Sequence, residues 1–128
     1  MIITALVLAA VAALLHVYIF CMESLWWTTS KVRATFGATE TEAEATKEMA
    51  FNQGFYNLFL AVATFAGIIF HMAGQLTIGT TLVFTGTGSM LLAAVVLITS
   101  SPSKAAAAIK QGVFPLLAVI ALIIGVAL

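Results

Sequence analysis

FNQGFYNLFLAVATFAGIIFHM, Phe51 to Met72, is the stretch that decides how this chain folds. It opens with two asparagines, a glutamine and a tyrosine, then runs apolar to its end without a charge. At about 1.5 Å per residue, a helix of this length crosses the roughly 30 Å hydrocarbon layer of a bilayer. Three further runs have the same character: Ile2 to Trp27, Thr77 to Thr99 and Ala105 to Leu128. None alternates in the manner of a strand, and an open sheet would leave unpaired edges in lipid, so all four read as helices. The expectation is an all-α, integral membrane four-helix bundle forming one transmembrane domain over residues 1–128. A short amphipathic surface helix is expected in the connection 28–50, between spans one and two.

Composition excludes several classes. With 62% hydrophobic and 8% charged residues, the chain has too few polar side chains to cover a soluble domain. The few lysines and arginines are diluted by Glu40, Glu42, Glu44 and Glu48, which argues against a nucleic-acid surface. The first run has no basic segment before it and is longer than the apolar part of a secretory signal. No small-x-small site precedes SLWWTTSKVR, so it reads as a retained span. Cys21 stands alone, which leaves no intrachain disulfide and no cysteine-based metal site, and reads as a small buried apolar residue. No metal or cofactor is expected.

All five basic residues, Lys31, Arg33, Lys47, Lys104 and Lys110, fall in or beside the first and third connections. The positive-inside rule then places both connections in the cytoplasm and both termini outside. In the first connection, Trp26 and Trp27 read as an aromatic anchor at the interface. Val32 and Phe36 at helical spacing, followed by Gly37, predict a short surface helix on the headgroups, closed by a left-handed cap. Thr39 with Glu42 fits a capping box, so a new helix should start there and project about three turns before entering the membrane. Its acidic face, Glu40 and Glu44, reads as solvated. In the third run, Thr81, Thr85, Ser89 and Ala93 recur every four residues near Gly86 and Gly88. That predicts a small-residue packing face, within the chain or between protomers. SSPSK, Ser100 to Lys104, turns the chain into helix four with Pro102 near its start. His71 reads as an interfacial residue on the outer connection.

The polar opening of the second span is explained by depth. Counting about 1.5 Å per residue from the cytoplasmic boundary, Glu23 lies about 6 Å inside, Asn52 to Asn57 roughly 2 to 9 Å, and Gln111 about 7 Å. Asn52 and Tyr56 share a helix face, as do Gln53 and Asn57, and the two faces together span an arc of roughly 140°. Pro115 has no N–H for the Gln111 carbonyl, and Gly112 beside it permits close approach. His16 and Glu23 share a stripe of helix one but differ in depth by roughly 10 Å, too far to hold one metal ion. Tyr18 points away from that stripe, which reads as packing. Unpartnered buried polar groups cost about 1–3 kcal/mol each, and a lipid-facing carboxylate about 2.5–3.5 kcal/mol or more. These groups should therefore converge inside the bundle, with NQGFYN supplying partners for Glu23 and Gln111. Mutual satisfaction that merely sets helix register is the plainer alternative.

HVYIFCMESLWWTT (His16 to Thr29), FG (Phe36, Gly37), NQGFYNLFLA (Asn52 to Ala61) and, more loosely, QGVFP (Gln111 to Pro115) carry a resemblance. The sequence resembles a family of small bacterial membrane proteins, the domain of unknown function 1304. The resemblance implies four spans, the bacterial cytoplasmic (inner) membrane, and His16, Glu23, Trp26, Asn52, Gln53, Gly54, Tyr56 and Asn57 as signature positions. It implies no reaction.

Three functions stay open at this point. In the first, a polar intramembrane pocket binds or transports a small amphipathic molecule. Glu23 is then the charged contact, among His16, Trp26, Asn52, Gln53, Tyr56, Asn57 and Gln111, and a homodimer would double the cavity. The second is a membrane enzyme acting on a lipid-like substrate by isomerase-type proton transfer, with His16 and Glu23 as the catalytic candidates. The third is a structural or partner-binding membrane protein. The first is favoured; that ionisable residues inside a membrane are functional candidates by default weighs against the third.

Overall fold

A computed structural model describes all 128 residues and is entirely helical. Helix α1 covers Ile2–Phe20 and continues as a wide π-type turn over Cys21–Leu25. A short α2, Ser30–Phe36, precedes the long α3, Glu40–Met72. Then come α4, Leu76–Ser100, a 3-10 turn at Pro102–Lys104, and α5, Ala105–Ala127. Four of these segments are long and apolar enough to cross a membrane, as expected for a multi-pass membrane protein in contact with lipid.

The bundle is arranged as a ring: α1 packs between α3 and α5, α4 packs between α5 and α3, and α3 and α5 sit across the diagonal. Its interior is built mostly from small side chains, with Met90, Leu122 and His16 the largest that are fully buried. Ala5, Ala9, Ala12 and Ala13 of α1 are fully buried, as are Ala61 of α3 and Met90 and Val83 of α4. Large side chains such as Ile3, Leu14, Phe59 and Leu92 face outward. In lipid there is no hydrophobic gain from hiding a leucine, so close backbone approach through alanine and glycine is what holds the helices together. Thr64 and Thr87 are also fully buried, and each hydroxyl bonds a carbonyl of its own helix, Leu60 at 2.9 Å and Val83 at 2.7 Å. No buried polar side-chain atom is left unpartnered.

The small-residue face of α4 differs from the expectation. Thr81, Thr85 and Ala93 are exposed and Ser89 is half-buried, whereas Gly79, Val83, Gly86, Thr87, Met90 and Ala94 form the buried face. Gly86 lies against Thr64, which places α4 in register with α3. The packing contact therefore runs beside the predicted stripe. Cys21 is half-buried rather than buried, and its carbonyl accepts from the Trp26 N–H at 3.0 Å to close the wide turn.

The first connection follows the turn chemistry of its sequence. Gly37 adopts φ 68°, the left-handed cap that ends α2. The apolar side of α2 packs on protein: Val32 is buried with Ile19 and Met22, and Phe36 stacks on Trp27 at 5.1 Å. Trp27 directs its indole N–H to the Ala43 carbonyl at 3.1 Å and the Thr46 hydroxyl at 3.2 Å, tying the first connection to the projecting turns of α3.

At the start of α3 the capping box forms. The Thr39 N–H donates to Glu42 at 2.8 Å, and the Glu42 N–H donates to the Thr39 hydroxyl at 3.2 Å. The backbone bond from Thr39, then that from its hydroxyl, holds the Glu42 carboxyl below its ordinary pKa of 4.5. A depressed carboxyl stabilises the folded helix above that ordinary value, and the contribution is lost as pH falls through the lower folded value. Glu42→Gln should therefore fray the first turn of α3 at neutral pH and make little difference in strong acid. Hydrogen-exchange protection of the first-turn amides checks this; equal protection of the two proteins at neutral pH would remove the cap from the account.

Candidate functional site

The wide turn decides where Glu23 points. A π turn inserts one residue into the helical register, and such turns are frequent at functional sites. Here it ends α1 with Met22 and Glu23 buried, Glu23 at 8% exposure, and turns the carboxyl toward α3. The Asn57 side-chain amide donates to Glu23 Oε2 at 2.9 Å and also to the Gln53 carbonyl at 3.2 Å, which fixes its rotamer.

A second tie lies one residue on. The Ser24 hydroxyl donates to the Phe51 carbonyl at 2.8 Å. Gly54 makes both ties reachable: a Cβ there would run into the Ser24 side chain and meet Ser24 N at 3.0 Å and the Phe20 carbonyl at 3.1 Å. Only a bare Cα lets α3 come this close to the turn. Aromatic rings flank the contact, with Phe20 edge-on to Phe55 at 5.0 Å. Ser24 is the residue that the sequence reading missed. It lies directly beside the one carboxylate of the span and at the depth of the one glycine in NQGFYN.

The structure brings together only part of the candidate set. Glu23 and Asn57 are joined. His16 is 1% exposed, and its Nδ1 bonds the Ala12 carbonyl of its own helix at 2.9 Å, so no hydrogen bond links it to Glu23. Asn52, Gln53 and Tyr56 are exposed on α3. At headgroup depth water and lipid can satisfy such groups, so burial is not forced on them. Trp26 is also exposed and stacks edge-on with Tyr18 at 6.4 Å. Gln111 is half-buried on α5, across the diagonal from α3, and takes no part in the Glu23 bond. Pro115 is buried within an unbroken α5, and Gly112 packs against Ala94 of α4. The expected single focus is thus a two-helix contact between α1 and α3, with further polar groups displayed around it.

At the opposite end, His71 closes α3, and its Nδ1 lies 3.4 Å from the Thr80 hydroxyl.

No curated protein and no solved structure is similar enough to this chain to add to that geometry. The family model described as a protein of unknown function, DUF1304, matches residues 10–123 and so takes in both helices of the Glu23 contact. This chain belongs to that family.

Proposed function

We propose that this protein binds, and in the membrane carries, small amphipathic molecules at the Glu23 end of the bundle, with the Glu23 carboxyl as the charged contact. The observation that carries the reading is the company Glu23 keeps. A carboxyl at 8% exposure on a membrane-length helix has one side-chain partner, the neutral amide of Asn57, and no lysine or arginine. A carboxylate at the centre of a spanning helix costs about 2.5–3.5 kcal/mol on insertion scales and less toward the headgroups, and such groups within spans mark substrate and ion pathways. A cationic head supplies the missing charge, and the exposed Asn52, Gln53 and Tyr56 offer hydrogen bonds to a molecule arriving from the headgroup layer. In this reading residues 1–128 act as one transmembrane domain, the site opens to the cytoplasmic leaflet of a bacterial inner membrane, and a homodimer sets two such sites side by side.

A second reading is favoured by the pair of ties from the wide turn to α3, Glu23 to Asn57 and Ser24 to the Phe51 carbonyl. These suit a purely structural clamp. Glu23→Gln separates the two, because glutamine keeps an acceptor for Asn57 while removing the charge. Calorimetric titration of the detergent-solubilised protein with tetraphenylphosphonium should show binding weakened at least about tenfold in the variant, a loss of about 1.4 kcal/mol. The unfolding midpoint should move little. Equal cation binding by the two proteins, or none by either, would leave the clamp as the role of the site.

A further inference from the structure

A second feature lies at the other end of the bundle, where all four long helices meet. A cavity of about 470 Å³ opens there among Ile2, His71, Thr77, Thr80, Thr81 and Gly125. Its size falls in the roughly 300–1,000 Å³ range of small-molecule sites. A crevice of about 270 Å³ between α4 and α5 shares Thr80 and Val126 with it and is otherwise apolar, lined by Phe84, Leu122, Ile123 and Ala127.

The two parts differ in chemistry. The cavity presents three threonine hydroxyls and one imidazole; Thr77 and Thr81 can each donate a hydrogen bond, and the bonded pair of Thr80 and a neutral His71 has one further donor to offer. It also takes in Leu76 and Thr77, the first turn of α4, where no side chain caps the helix. Every glutamate, lysine and arginine of the chain lies at or beyond the Glu23 end, so no side-chain carboxylate opposes an anion here. Two glycines build the rim. Gly79 lets α4 pass directly against the backbone of His71, which brings the imidazole beside Thr80, and Gly125 lets the end of α5 touch Ile2. Donors without acids favour an acceptor-rich, anionic head, and the adjoining crevice runs along the lipid-facing side of α4 and α5.

We propose that this end of the bundle is a phospholipid site: the phosphate sits against His71, Thr77, Thr80 and Thr81, and one acyl chain lies in the crevice beside Phe84 and Ile123. The site is independent of Glu23 and of the cationic amphiphile proposed for it. A bound phospholipid would fill the gap between four helix ends and supply acceptors for the exposed threonines.

The test is native mass spectrometry of the full chain in detergent, with dioleoylphosphatidylglycerol, dioleoylglycerol or inorganic phosphate added. Wild-type protein should retain one phosphatidylglycerol per chain, at least about fivefold more than dioleoylglycerol. Thr80→Val with Thr81→Val, which preserves shape, should abolish that preference, as should His71→Leu. Ile123→Trp should block the chain and lower phospholipid retention while leaving the helical circular dichroism unchanged. Glu23→Gln should retain lipid as wild type does. Equal retention of the phosphate-free lipid, or undiminished preference in the threonine double variant, would overturn the site. Displacement of the lipid by millimolar inorganic phosphate would make it a free-phosphate site, and a dimer that covers the cavity would make it a protomer contact; either result overturns the phospholipid.

Discussion

Gly54→Leu is expected to drive α1 and α3 apart at the wide turn and to cost about 1–3 kcal/mol or more, the range for overpacking a filled contact. The effect follows from what a side chain would strike. Backbone atoms of Ser24 and Phe20 lie 3.0 and 3.1 Å from where its Cβ would be, and backbone cannot swing aside as a side chain does. Both ties across the contact, Glu23 to Asn57 and Ser24 to Phe51, should be lost with it. Gly88→Leu is the matched control. Nothing lies within 4 Å of a Cβ at Gly88, so leucine there should be neutral or, through helix propensity, stabilising by up to about 0.8 kcal/mol. Unfolding in detergent, followed by fluorescence of Trp26 and Trp27, measures both. Equal midpoints for the two leucine variants would show that the close approach at Gly54 contributes nothing.

Asn57→Leu should destabilise the protein by about 1–3 kcal/mol, toward the lower end because Asn57 is only half-buried, by leaving the Glu23 carboxyl without its partner. The double variant Glu23→Leu with Asn57→Leu removes the donor and the acceptor together. It should be more stable than Asn57→Leu alone, since replacing both members of a buried polar pair by apolar groups is far less costly than orphaning one. With wild type and the single variant Glu23→Leu, these two form a double-mutant cycle. If the two single costs simply add in the double variant, Glu23 and Asn57 are not coupled and the contact is incidental.

The fold was legible because its signals were long and redundant. Four apolar runs of membrane length, Thr39 set three residues before Glu42, Gly37 after Phe36 and Pro102 after Ser101 each specify one local choice, and the structure makes each of them. The candidate site was legible only in part. Depth brought Glu23 to the level of the stretch Asn52 to Asn57, because helix rise is nearly constant, but did not single out Asn57 as its partner. What angular counting could not anticipate was the wide turn at Cys21–Leu25, since one inserted residue resets every direction after it. The expectation that all polar groups converge took burial as unavoidable. That holds for His16 in the middle of α1, but not for Asn52, Gln53 and Tyr56, which lie near enough to the headgroups to remain exposed. The stripe of Thr81, Thr85, Ser89 and Ala93, expected to pack within the chain or between protomers, is not the face that packs within the chain. Small residues permit close packing on any face that bears them, and on α4 the neighbouring face, with Gly79, Gly86 and Ala94, is the one that α3 and α5 occupy.

The alanine-lined interior has a consequence for traffic. With Ala12, Ala13, Ala61 and Met90 meeting at zero exposure, the middle of the ring is solid, and one copy of the chain contains no lumen through which a solute could file. On the carrier function proposed above, cargo would therefore slide along the outer flanks of the helices or pass through a seam between copies. The acyl-chain region would then form one wall of its route.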